Sequence, residues 1–245
     1  MSESPSTELN IANVLALLAQ GDLDVQGMLP WSSNYTLLAT VRSNGLQGLA
    51  VYKPRRGERP LWDFARGTLC QREVAAYLLN AALGWNLVPP TVLRDGPYGI
   101  GSVQLFIDAD QEAHLFTMQK EGGFESAIEQ LAVFDVLANN ADRKSGHCLK
   151  GNDGRLWAID HGICFHAEPK LRTVLWDYAG KPLRPDILAD LRALRSNLTG
   201  SMADMFESLL AADEMRALRR RLDRLIDTGK HPDPGPGRNI PWPPV

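Results

Sequence analysis

The chain has 245 residues, of which 44% are hydrophobic and 22% charged. That is enough apolar content for one large core or two modest lobes, and it is unlike a disordered, collagenous or membrane-embedded sequence. The formal net charge of −3 gives no general attraction to nucleic acid, whose binders normally carry a basic footprint.

The chain opens on MSESPSTELN, which lacks a basic stretch, and the nearby VLALLA is too short to cross a bilayer. Residues 8–20 carry Ile11, Val14, Leu15, Leu17 and Leu18 at helical spacing after Ser6 and Thr7, which predicts an amphipathic helix. GMLPWSSNYTLLATVRSNGLQGLAVYKPRR then holds three short β-type runs, with Asn44-Gly45 favouring a tight turn, so a small antiparallel sheet is expected. Residues 68–83 predict a helix, closed by Gly84. VPPTVL and GIGSVQLFI return to extended structure, and helix resumes from residue 123. DILADLRALRSNL and ADMFESLLAADEMRALRRRLDRLIDTG read as the helices of the second half. The last fifteen residues hold six prolines and predict an irregular tail. Strands early and helices late make the chain α+β. Cys70, Cys148 and Cys164, odd in number and widely spaced, form no disulfide framework, so reduced thiols and a cytoplasmic address are expected.

The chemistry-bearing residues fall in a telling order. Lys53 ends the strand LAVYK, where its amine suits nucleotide phosphates. Glu73 follows on the next helix, placed to pair with that lysine. Asp142 lies in NADRKSGH after the apolar helix IEQLAVFDVL, and Asp160 follows the strand RLWAI in DHG. Lys, Glu, Asp, Asp is the order used by the protein-kinase fold for phosphate anchor, anchor-positioning acid, catalytic base and metal ligand.

WSSNYTLLATVRSNGLQGLAVYKP, REVAAYLL, VQLFI, NADRKSGH and AIDHG together resemble the phosphatidylinositol 3- and 4-kinase-like branch of the kinase superfamily, with its type II 4-kinase and HipA-like relatives. More closely, they are similar to a group of small actinobacterial proteins in that branch. The resemblance covers residues 27–190. It implies a two-lobed kinase-like fold, with an N-terminal helix and linker over 1–26, a β-rich N-lobe over 27–108, a helical C-lobe over 109–230 and a Pro-rich tail over 231–245. ATP with Mg²⁺ or Mn²⁺ is the implied cofactor, lying between the lobes. By the same resemblance Ser32, Ser33 and Asn34 belong to the phosphate-covering loop, and Lys53 contacts the α- and β-phosphates while Glu73 orients it. Gln104, Leu105, Phe106 and Ile107 form the hinge that meets adenine, and Val51 and Ile159 contact the nucleotide. Asp142 is the base and Asp160 the principal metal ligand.

Two residues depart from the pattern. His147 stands where most relatives carry a metal-binding Asn, and imidazole favours Mn²⁺ over Mg²⁺. His161 replaces the bulky apolar residue of the D-F-G-like turn. The expected activity is γ-phosphoryl transfer to a hydroxyl of a protein, lipid or small molecule, with Lys170 and Arg172 the only anchors for a phosphorylated acceptor after Asp160. A nucleotide-binding pseudokinase and an AMP transferase are the alternatives. A structural zinc among His147, Cys148, His161, Cys164 and His166 is disfavoured, because strand alternation separates those side chains. The basic run ending in Arg219, Arg220, Arg221 and Arg224 reads as the solvated side of an amphipathic helix, with lipid attachment as the lesser reading.

Overall fold

The computed structural model describes residues 10–29 and 35–245, which divide into two compact units. The first takes in the described part of residues 1–59 together with 90–106; the second comprises 60–89 and 107–245. Helix Leu69–Leu83, placed from the sequence in an N-lobe running to residue 108, belongs to the second unit. The N-terminal helix, set apart with its linker over 1–26 from the sequence, belongs to the first.

The first unit is a five-stranded antiparallel sheet under one helix. Helix α1 (Ile11–Gln20) starts at Asn10, whose side chain accepts the Ala12 N–H. Ser6 and Thr7, the expected caps, lie outside the described residues. Strands β1 (Asp22–Met28), β2 (Leu37–Ser43), β3 (Leu46–Pro54), β4 (Thr91–Gly96) and β5 (Gly99–Leu105) are ordered β1-β2-β3-β5-β4. β1 begins earlier than the sequence indicated, because DLDVQ pairs with the end of β2 through Asp22↔Arg42. Alternation along the strands then sorts the side chains. Leu37, Val41, Ala50, Tyr52 and Val103 pack with Val14, Leu17 and Leu18 of α1. Val51 and Lys53, with their partners Gln104 and Ser102, therefore share the opposite face. The Tyr52 hydroxyl donates to the Gly99 carbonyl, and Arg94 donates to the carbonyls of Leu18 and Gly21, a cation at the C-terminal end of α1 where the helix dipole favours one.

The second unit is largely helical: α2 (Leu69–Leu83), α3 (Leu115–Glu121), α4 (Glu125–Ala138), α5 (Pro185–Asn197), α6 (Gly200–Glu207) and α7 (Ala212–Thr228), with a small hairpin of β6 (Cys148–Lys150) and β7 (Leu156–Ala158). The periodic run from residue 203 to 229 reads as one helix but is two. Glu214 turns back to accept the Ala211 N–H, capping α7, and its other oxygen accepts from Arg72 of α2 at 2.6 Å. Arg72 also donates to the Cys164 carbonyl at 2.7 Å, so one buried arginine joins the start of α7 to the segment after Asp160.

The proline-rich tail has no helix or strand, yet it is anchored along its length. The His231 N–H donates to the Lys181 carbonyl, the Thr173 N–H to the Asn239 carbonyl and the Ser145 N–H to the Pro244 carbonyl, while the Trp176 indole also reaches Asn239 O. Among the described residues no helix is long and apolar enough to cross a membrane.

Gly101 tests the strand that carries Lys53. A Cβ there would stand 2.5 Å from the Lys53 carbonyl oxygen and 2.7 Å from the Tyr52 ring. Gly101→Ala is expected to cost about 1–3 kcal/mol by overpacking, read as a lower urea midpoint with the slope unchanged.

Candidate active site

The loop NADRKSGH begins where α4 ends. Asn139 adopts a left-handed conformation, φ 49°, which Asn tolerates better than most residues. Its side chain donates to the carbonyls of His166 and Glu168 and accepts the Lys170 N–H, pinning the segment after Asp160 to the end of α4. Asn140 accepts the Asp142 N–H and donates to Asp135. Both asparagines therefore cap the end of α4 and brace the loop that follows it.

The centre of the loop is Arg143, which is fully buried. Its Nη2 lies 3.0 Å from Asp135 Oδ1, a pair in which neither side chain is exposed, and Nε also donates to that carboxylate. Nη1 donates to the carbonyls of His147 and Ile159 at 3.3 and 3.1 Å. Nη2 donates to His161 Nε2 at 2.6 Å. Arginine has no acceptor, so His161 must present a lone pair at Nε2 and carry its proton at Nδ1. Burial is the largest single influence and pushes the Arg143 guanidinium down, but the Asp135 charge and hydrogen bond, with the neighbouring Cys148 and Cys164, together hold the group above its ordinary value. Thr173 donates its hydroxyl to the other Asp135 oxygen. One ion pair thus fixes the loop of Asp142 against the turn of Asp160.

Around that clamp the second unit gathers Asp142, His147, Ile159, Asp160 and Glu73. Asp142 Oδ2 is 3.1 Å from Lys144 Nζ, and the sequence reading passed over this lysine although it stands only two positions on. His147 Nε2 is 3.5 Å from Asp160 Oδ2, with the aspartate side chain 43% exposed. Burial lowers the His147 pKa, against the opposing pull of Asp160, so a neutral imidazole faces the carboxylate. Asp160 is held at φ 62°, a left-handed conformation that costs a non-glycine residue energy and that clusters at functional sites. Glu73 accepts the His161 N–H at 3.0 Å. His161 itself is buried edge-on to Phe134, so it fills the apolar place of the turn's middle residue while serving Arg143.

In the first unit Val51 and Lys53 lie on the sheet face opposite α1. The Gln104 side chain donates to Thr91 Oγ1 at 2.8 Å. Leu105 is turned to the other face, packed against the core under α1, and its N–H donates to Pro90 O while that of Phe106 donates to Leu49 O. The chain leaves this unit between Phe106 and Ile107. Ser32, Ser33 and Asn34 lie outside the described residues.

The donor set at Asp160 fits a divalent cation that keeps most of its shell from phosphate and water: one carboxylate oxygen and one imidazole nitrogen adjoin, and Mg²⁺ is commonly held by one or two carboxylates plus substrate phosphates. Among the described residues no group of three or more His, Cys, Asp or Glu forms a metal cage. Cys148 and Cys164 are fully buried, the first pushed up to about 12 and the second also raised, chiefly by burial; both behave as core thiols.

The fold is kinase-like, with a β-rich unit and a helical unit. It is similar to the crystal structure of the Helicobacter pylori proinflammatory kinase CtkA, with TM-score 0.53 and 12% identity, covering 87% of this chain and 94% of that one. No family model matches the chain. It is 43% identical over 262 residues to Protein Rv2133c of Mycobacterium tuberculosis, covering 93% of this chain and 94% of that protein, and it belongs to the same family. Two plant proteins are also similar. Phosphatidylinositol 4-kinase gamma 4 of Oryza sativa subsp. japonica is 31% identical over 62% of this chain, and phosphatidylinositol 4-kinase gamma 2 of Arabidopsis thaliana 26% over 63%. The matches span 30% and 37% of those longer proteins.

Breaking the central pair should be costly. Asp135→Asn leaves Arg143 buried without its counterion, and a loss of about 3–5 kcal/mol is expected, against about 2–3 kcal/mol for Asn140→Ala, which removes one neutral donor to the same carboxylate and the acceptor of the Asp142 N–H. Guanidinium denaturation of the two variants measures the difference.

Proposed function

We propose that this protein is an ATP-dependent phosphotransferase that moves the γ-phosphoryl group to a hydroxyl. The observation that supports this best is the Arg143 clamp, because it gives the loop of Asp142 and the turn of Asp160 one rigid geometry before any ligand arrives, as positioning catalysis requires. The kinase fold and the similarity to two plant phosphatidylinositol 4-kinases point the same way.

In this reading Asp142 accepts the proton of the acceptor hydroxyl as its oxygen bonds to the γ-phosphorus and the bond to the β,γ-bridging oxygen breaks, releasing ADP. Lys144, beside Asp142, offsets charge building on the transferred group. Asp160 and His147 would hold the divalent ion, which would supply positive charge to offset that of the phosphates. Lys53 anchors the phosphates on the β3 face, with Glu73 as its positioning acid. The 104–107 stretch meets adenine through backbone groups rather than through Leu105, whose side chain is committed to the core. The acceptor is a hydroxyl of a protein, lipid or small molecule, and nucleic acid is not expected as a partner.

A second reading, a nucleotide-binding pseudokinase, is favoured by the 3.5 Å approach of His147 to Asp160, which sets a nitrogen donor where an oxygen suits Mg²⁺ better. Incubation with γ- and α-labelled ATP, in Mg²⁺ and in Mn²⁺ separately, tests both: label transfer from the γ position alone supports the phosphotransferase, transfer from the α position points to AMP transfer, and none to the pseudokinase.

Four outcomes are expected from the residue roles. ATP with a divalent ion should raise the melting temperature, with stabilisation of about 2.7 kcal/mol at a hundred times Kd, and Lys53→Ala should remove most of the shift; equal shifts would overturn the role of Lys53. Asp142→Asn should slow single-turnover transfer by about 10²- to 10⁴-fold with ATP affinity nearly unchanged. Asp160→Asn should instead weaken metal-dependent ATP binding and abolish turnover together, while keeping a residue type that tolerates the left-handed backbone. His147→Asn should move metal preference from Mn²⁺ towards Mg²⁺.

A further inference from the structure

The second unit contains a cavity of about 1320 Å³, larger than the few hundred to about 1,000 Å³ usual for small-molecule sites. Its walls come from three stretches. Helix α7 supplies Arg220, Arg221 and Arg224, the segment after Asp160 supplies Lys170 and Arg172, and the tail supplies Lys230 and Arg238. Asp233 is the one carboxylate among the lining residues. Lys170 is paired with Asp63 at 2.9 Å; among the described residues none of the six other cations has a carboxylate within ion-pair distance. Seven positive charges converging on a recess, in a chain whose net charge is −3, is a concentration that mutual repulsion opposes unless an anion offsets it.

Arg221 carries the strongest sign of a missing partner. Its Nε donates to the Leu137 carbonyl at 2.8 Å and Nη1 to that of His166 at 3.4 Å, but Nη2 is buried and makes no hydrogen bond. Burial pushes this guanidinium down to about 10. A buried guanidinium nitrogen with no acceptor is an expensive arrangement in a folded chain.

We propose that this cavity binds a small soluble anion bearing several phosphate groups. Arginines on a helix face and on two flanking segments offer forked donors to several phosphate oxygens at once, and Trp176 and Leu225 add an apolar wall for the scaffold that carries them. A single inorganic phosphate would leave most of these cations unmet. A flat membrane or a nucleic-acid duplex fits a recess poorly, and the acidic Asp213, Asp223 and Asp227 lie along the same helix. The site is joined to the candidate active site through backbone: the Arg172 N–H donates to Asn140 O and its carbonyl accepts the Arg143 N–H. A ligand held by the Arg172 side chain thus stiffens the segment that flanks the Asp142 loop. The inference rests on the second unit alone and stands independently of the phosphotransferase reading.

Isothermal titration calorimetry in metal-free buffer, with inorganic tripolyphosphate and inositol hexakisphosphate as probes, tests it. Saturable binding of either probe is expected, weakening steeply with added salt. The exposed pair Arg220→Ala with Arg224→Ala should weaken it at least about tenfold, and Arg238→Ala, on a different wall, should also weaken it. Arg216→Ala, an exposed α7 arginine outside the cavity, should leave it unchanged. Absence of saturable binding, or equal losses in Arg216→Ala and the cavity variants, would overturn the site. Capture of the protein by phosphatidylcholine vesicles containing a phosphatidylinositol phosphate, with neither soluble probe binding, would replace it with a lipid headgroup site.

Discussion

A single buried charge pair, Asp135 with Arg143, organises the helical unit. Asp135 lies in the apolar α4, and its carboxylate is met by Arg143, Asn140 and Thr173. Arg143 in turn spends its remaining donors on the His147 and Ile159 carbonyls and on the His161 ring. An ion pair removed from water repays its desolvation only when its hydrogen-bonding capacity is so filled. Here the satisfaction comes from the two stretches that bear the candidate catalytic aspartates, so the cost of burying the pair and the geometry of the site are one constraint. Neither loop can move far without stranding a charge in the core.

The same economy explains why the site residues differ so much in their surroundings. Asp142 and Asp160 lie at the margin of the clamp, partly exposed and beside a cation and an imidazole respectively. The groups that hold them are buried without exception. His161 shows how far this division reaches, since an imidazole can pack edge-on to Phe134 and still accept from a guanidinium, which a phenylalanine in that place could not do.

Much of this was legible in the chain and some was not. Lys53 was legible as the end of the strand LAVYK, and the order of Lys53, Glu73, Asp142 and Asp160 gave the kinase reading its basis. The clamp was hidden because Asp135 reads as a stray polar residue in IEQLAVFDVL and Arg143 as one more charge in a hydrophilic loop; only burial distinguishes them. Leu105 was placed with the hinge by its position in VQLFI, whereas register against Ala50 turns it to the core. The division of α6 from α7 is marked by the Glu214 cap on the Ala211 N–H, while the buried Arg72 that holds Glu214 lies 142 positions away, a contact no local pattern reports. The tail read correctly as irregular, but composition says nothing of the carbonyls by which it is tied to Ser145 and Thr173.

The left-handed backbone of Asp160 also constrains how this family can diverge. A position at φ 62° admits Asp, Asn and Gly far more readily than a β-branched or bulky side chain. Drift there is therefore channelled: a member that loses the carboxylate will tend to carry Asn or Gly and keep its turn, its clamp and its fold. On the proposed role of Asp160 as metal ligand, that one substitution in an otherwise intact domain would mark members without metal-dependent phosphoryl transfer.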